Sequence, residues 1–107
     1  MTPKEFVELF YRNKTEYLRA CLAENSGVFV SSRIKSLNLS DEQKEVMAQI
    51  VDEILTDVYY SILLGIDGCA AIGGYQCDYK LYDEDGNLLT NGGEIEGLAW
   101  EYFHEKE

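Results

Sequence analysis

Residues able to do chemistry are few in this chain, and no spacing assembles them. His104 is the only histidine, and Cys21, Cys69 and Cys77 are the only cysteines. The three thiols have no Cys-x-x-Cys spacing and cannot all pair within one chain, so they read as reduced structural thiols. Joined to His104 they match no recognised zinc pattern. A Cys–His nucleophile would have to recruit a histidine three residues from the end of the sequence, with no third group to orient it. Carboxylates number 20, and in so acidic a chain no single pair points to general acid–base work. The expectation is a protein without catalytic activity, cofactor or metal.

Two stretches come close to a ligand motif and miss. Gly65–Gly74 is rich in glycine, but no Lys-Ser or Lys-Thr follows it and no strand precedes it, so it is not a phosphate loop. Its small residues fit a tightly packed turn, and Asp67 is expected to cap the backbone of Gly68–Ile72. Asp83, Asp85, Asn87 and Glu94 fall at positions 1, 3, 5 and 12 of a calcium loop. Leu88, however, occupies the place where that loop needs glycine, and no helices flank it. A hairpin tip is the expectation there.

Charge sets what this chain can meet. Twenty acids against nine bases leave a net −11, distributed unevenly. Residues 1–40 carry four acids and six bases, whereas 41–107 carry sixteen acids and three bases. That field repels nucleic acid and anionic membrane and steers basic partners toward the acidic half. The longest apolar run, near Ile62–Ile66, is far short of the roughly 20 residues a membrane span needs. The first ten residues lack a signal-peptide pattern, and with the unpaired cysteines this predicts a cytoplasmic address.

The elements that must position these residues are clearer. Ser40 and Gln43 form a capping box that opens a long helix over Asp41–Leu64. Met47, Ile50, Val51, Ile54, Val58 and Ile62 recur at helical spacing, with Glu45, Gln49, Asp52, Glu53 and Thr56 opposite. The apolar face is expected to bury Ile54, Val58, Ile62 and Leu63, and the last two turns, apolar nearly all round, to enter the middle of the fold. Thr2-Pro3-Lys4-Glu5 opens an earlier helix over Thr2–Glu24. Its stripe of Phe6, Val7, Phe10, Tyr11, Tyr17, Leu18, Cys21 and Leu22 is broken only at Lys14, and Asn25-Ser26-Gly27 ends it. Within residues 28–39, Val28–Val30 could be a short strand and Ser32–Leu37 one helical turn or two, forming a connector between the long helices. Tyr75–Tyr82 alternates as a strand, Asp83–Asn87 turns, and Leu88–Thr90 returns. Asn91 is expected to cap a last helix whose face holds Ile95, Leu98, Ala99, Tyr102 and Phe103, with Trp100 off it among Glu96, Glu101 and Glu105.

A small, acidic chain whose helices lead into DYKLYDEDGNLL and then GEIEGLAWEYF resembles the immunity proteins of bacterial polymorphic and contact-dependent toxin systems. The resemblance implies cytoplasmic residence and one-to-one neutralisation of a cognate toxin, often a basic nuclease. The expected fold is α+β over one domain, 1–107: two long antiparallel helices and a C-terminal helix on a small antiparallel sheet. The expected partner is a basic toxin domain. The alternative is a non-enzymatic structural or regulatory domain, monomeric or homodimeric, whose acidity serves solubility only. Acids beside exposed aromatics supply both steering and desolvated contact, which selects Tyr82, Asp83, Glu84, Asp85, Glu96 and Trp100 as the contact surface.

Overall fold

The computed structural model describes every residue except Asn25, Lys106 and Glu107. Helix α1 spans Pro3–Leu22, and Thr2 and Glu5 exchange side-chain-to-backbone bonds in the expected capping box. The predicted helix ran two residues further, to Glu24, and its Asn25 terminator lies outside the described residues. Residues Phe29–Ser36 form a short helix, α2, which decides the open reading of 28–39. Helix α3 covers Asp41–Ile66 behind the Ser40–Gln43 box. Helix α4, Glu94–Trp100, continues into a π-helical turn at Glu101–Glu105.

Helices α1 and α3 run antiparallel, with Phe10 against Tyr59 and Lys14 against Asp52. Their contact is most apolar where the start of α1 meets the end of α3, and the C-terminal segment closes this end. Val7, Leu63, Leu89, Ile95, Ala99, Tyr102 and Phe103 are its buried residues. Phe6, Phe10, Tyr11, Tyr59, Tyr60, Leu64, Leu81 and Leu98 pack around them. The late turns of α3 do enter the core, as their composition predicts. Away from this end the molecule thins: its extents are 47 × 28 × 25 Å and its radius of gyration 16.2 Å, against about 13 Å for a compact chain of this length.

Two expectations are overturned. The first is the α+β class. Among the described residues there is no strand, and the predicted hairpin shrinks to the isolated bridges Ile72↔Tyr75 and Tyr82↔Leu88. Only scattered backbone bonds form, the Ile72–Tyr75 pair and Leu89 N–H to the Leu81 carbonyl at 2.7 Å among them, while Leu81 N–H donates to Thr90 Oγ1 and Gln76 Nε2 to the Gly68 carbonyl. With no third strand beside it a two-stranded hairpin is marginal, and Tyr75–Tyr82 wraps the helices as irregular chain.

The second is the orientation of α3. Leu63 is fully buried, but Ile54, Val58 and Ile62 are not; Ile54 is 55% exposed. The more buried side of α3 instead runs through Val51, Asp52, Leu55, Thr56, Tyr59 and Leu63, with Thr56 buried and Asp52 paired to Lys14, while Glu45, Gln49 and Glu53 stay exposed. Lys14 supplies the reason. It interrupts the apolar stripe of α1, it is buried, and an ammonium in that position requires a carboxylate facing it. Asp52 meets that need at 2.6 Å. Ile54 stands two residues from Thr56, about 200° around the helix, and therefore points outward.

Candidate functional site

The six residues selected from the sequence fall into two separate settings. Tyr82, Asp83, Glu84 and Asp85 sit at the loop tip beside the start of α1. One oxygen of Asp83, Oδ1, accepts the backbone N–H groups of Asp85 and Asn87 at 3.0 and 2.8 Å. The other, Oδ2, accepts Asn87 Nδ2 at 2.9 Å and the Met1 ammonium at 2.7 Å. The ammonium, ahead of the Asn87 bonds, holds the Asp83 carboxyl far below the usual carboxylate range. Asp83 in turn raises the Met1 amine. Gly86, at φ +84°, completes the turn in a conformation that disfavours side chains.

Asp83 is therefore a structural carboxylate. Its side chain is only 10% exposed, and both oxygens are engaged. The calcium-like spacing has the same explanation: this aspartate organises a turn through N–H donors, as Asp commonly does. Among the described residues no group of His, Cys, Asp and Glu is placed to hold a metal ion. Tyr82, Glu84 and Asp85 remain exposed around the turn.

Glu96 and Trp100 lie elsewhere, one turn apart on the exposed side of α4. Asn91 does not cap this helix. Its N-cap is Gly93, at φ +86° and without a side chain to offer. Asp67, at the end of α3, reaches across and accepts the Glu96 N–H at 2.9 Å. The expected role of Asp67 on its own turn is thus corrected to capping a different helix, which ties α4 to α3.

From this anchor the π turn brings three rings together. Tyr60 meets His104 edge-on at 4.5 Å between centroids and Trp100 at 6.3 Å, while Trp100 and His104 lie 4.7 Å apart. The indole Nε1–H donates to Glu105 Oε1 at 3.1 Å, and Trp100 is still 50% exposed. Carboxylates surround this cluster. Glu96 and Glu101 are exposed, and among the described residues neither has a lysine or arginine partner. Two neighbouring groups register the negative field. The Cys69 thiol is pushed up to about 12, first by its hydrogen bond with Glu96, then by burial and the charges of Glu96, Asp67 and Asp78. Burial first, and Glu96 second, raise the Tyr60 hydroxyl.

Sequence reasoning set Trp100 among Glu96, Glu101 and Glu105 and did not place Tyr60, Asp67, Cys69 or His104 beside them. One signal was available for His104: it stands four residues after Trp100, a spacing that places two rings on one helical face. Nothing in the spacing could place Tyr60 or Asp67 beside them, because both arrive from α3. A half-exposed indole offers apolar contact, and its carboxylate rim attracts cations. The search for likeness to known proteins is negative throughout, with no match to a family model, a curated protein or a solved structure.

Proposed function

We propose that the protein is an immunity-type inhibitor that binds and neutralises a basic toxin domain, of the nuclease kind, through the acidic face around Trp100. The observation that carries this reading is the half-exposed Trp100 set among Glu96, Glu101 and Glu105. Carboxylates at the rim speed encounter with a cationic surface, and a large aromatic at the centre slows release. The same charge disfavours nucleic acid and anionic membrane as partners. Among the described residues no helix is long and apolar enough to cross a membrane.

The first test is the neighbouring reading frame, where a large secreted protein with a C-terminal toxin domain is expected and whose absence counts against the reading; that toxin domain is then co-expressed with this protein. A complex should co-purify and the cells should survive. Association should slow as ionic strength rises, because charges separated by more than about 8 Å are screened near 0.15 M salt. Trp100→Ala should speed dissociation and Glu96→Lys should slow association. Binding indifferent to both substitutions would remove the face from consideration.

A further inference from the structure

The structure leaves one large surface that the acidic face does not use. Along α3, Val46, Ile50, Ile54, Val58 and Ile62 stand at every fourth position, and each is between 42% and 55% exposed. Residues four apart form one continuous ridge on a helix. The strip does not end at Ile62. Gly65 follows on the same side, and Ile72 packs over it so closely that a Cβ there would lie 2.5 Å from Ile72 Cγ1. Ile72 and Tyr75, joined by a pair of backbone hydrogen bonds, then prolong the apolar strip past the helix.

We infer that this face is the interface of a symmetric homodimer, in which α3 packs against α3 of a second copy. Three observations select a second copy over another partner. The ridge itself, Ile50, Ile54, Val58 and Ile62 with Ser61 beside it, carries no charge in a chain of net −11, and Glu53 and Asp57 flank it along one side. Between two copies the apolar ridge forms the centre of the contact, and Glu53 and Asp57 fall at its rim, where salt screens them. A ridge of residues spaced by four fits the groove beside an identical ridge, which is the commonest way two helices cross, and a two-fold axis makes such a patch complementary to itself. Its apolar area is roughly 600 Å² per copy, the lower range of what a stable pair of small proteins buries. The extended shape, with a radius of gyration of 16.2 Å, is what a subunit shows when part of its burial comes from a partner.

Dimerisation through this face is independent of toxin binding, and salt separates the two. Pairing two −11 chains is opposed by their net charge, so added salt must strengthen it, whereas salt weakens attraction to a basic partner. The test is sedimentation velocity on the full chain near 100 μM, in about 50 mM and about 500 mM NaCl. The expected result is a species of twice the 12.2 kDa chain mass, with a larger dimer fraction at the higher salt. Ile54→Glu should weaken pairing about 100-fold or more by placing a carboxylate in a dry contact. Its far-UV circular dichroism should match the parent, because Ile54 lies outside the core. Val58→Lys, tested separately, should weaken pairing in the same way with the opposite charge. A monomer at both salt concentrations overturns the inference. So does a dimer that survives both substitutions, or one lost in Trp100→Ala but kept in Ile54→Glu.

Discussion

Asp52→Leu should cost more stability than Lys14→Met, although the two residues form one ion pair. The pair measures 2.6 Å, with the Lys14 side chain 5% exposed and that of Asp52 38% exposed. Breaking a fully buried pair by removing one partner costs about 3–5 kcal/mol, because the charge left behind has lost its water. Lys14 is that case. In Asp52→Leu its ammonium remains enclosed between α1 and α3 without its carboxylate, keeping its other contacts, the Tyr11 ring at 5.6 Å among them, and the loss should reach at most about 3–5 kcal/mol. In Lys14→Met the carboxylate left behind still reaches solvent, and the methionine keeps the packing of the lysine stem. About 1–2 kcal/mol is the expected loss there, less than for an enclosed charge. At about 4 °C per kcal/mol for a chain of this size, the two substitutions should lower Tm by roughly 12–20 °C and 4–8 °C. The double variant, with neither charge to desolvate, should return to within about 1 kcal/mol of the parent. Urea unfolding followed by circular dichroism, with all four proteins at one low concentration, completes the cycle. Equal losses from the two single substitutions, or a double variant as unstable as their sum, would refute the claim that a buried lysine dictates which face of α3 turns inward.

Core burial gives a second contrast: Leu63→Ala should lose about 2–5 kcal/mol, while Ile54→Ala in dilute protein should lose less than about 1 kcal/mol, both read by the same urea titration. Cys69, despite its exposure, should be alkylated by iodoacetamide at pH 8 up to about 1,000-fold more slowly than an unperturbed thiol, because its value near 12 leaves little thiolate. Glu96→Gln should speed that reaction, and a rate unaffected by it would remove Glu96 as the cause. A raised thiol value also means that Cys69 favours the folded state below pH 9 and loses that contribution as pH climbs toward 12. Asp83 works in the opposite direction. Its lowered value adds stability that is complete above its ordinary value of 3.8 and is lost as pH falls through the folded one. Asp83→Asn should therefore flatten the acid limb of a Tm-against-pH curve below about pH 4, and an unchanged limb would count against the turn as its source. Asp67→Ala should cost about 1 kcal/mol and loosen α4 by removing its borrowed cap, visible as faster hydrogen exchange at Glu96.

Local rules carried a good part of the structure. Thr2–Glu5 and Ser40–Gln43 are capping boxes readable from four consecutive residues each, and both form as read. The stripe of Ile95, Leu98, Ala99, Tyr102 and Phe103 needs only helical spacing to face one way, and it lies in or against the core. The failures share one physical cause, which is that the deciding partner is distant in the chain. Alternation in Tyr75–Tyr82 shows that the segment could be a strand, yet a strand needs a neighbour along its length, and here the chain meets it only at isolated points. Asn91 has the residue type of a cap, but Asp67 performs the task from the end of α3. Asp83 has the residue type of a free surface acid, but the Met1 ammonium, 82 positions away, engages it.

The orientation of α3 shows the same division most clearly. From its own sequence the helix has an apolar face and a polar face, and the hydrophobic effect alone would turn the apolar one inward. Tertiary structure turns the helix partway round, so that Val51, Leu55, Tyr59 and Leu63 lie on its more buried side together with Asp52 and Thr56, because α1 presents a buried ammonium. The charge of Lys14 requires the carboxylate of Asp52, and satisfying it rotates Ile50, Ile54, Val58 and Ile62 to the outside. Periodicity defines the two faces of a helix. What each face meets depends on which side chains the rest of the fold brings against it, and one uncompensated charge in the interior outweighs several half-buried aliphatic side chains.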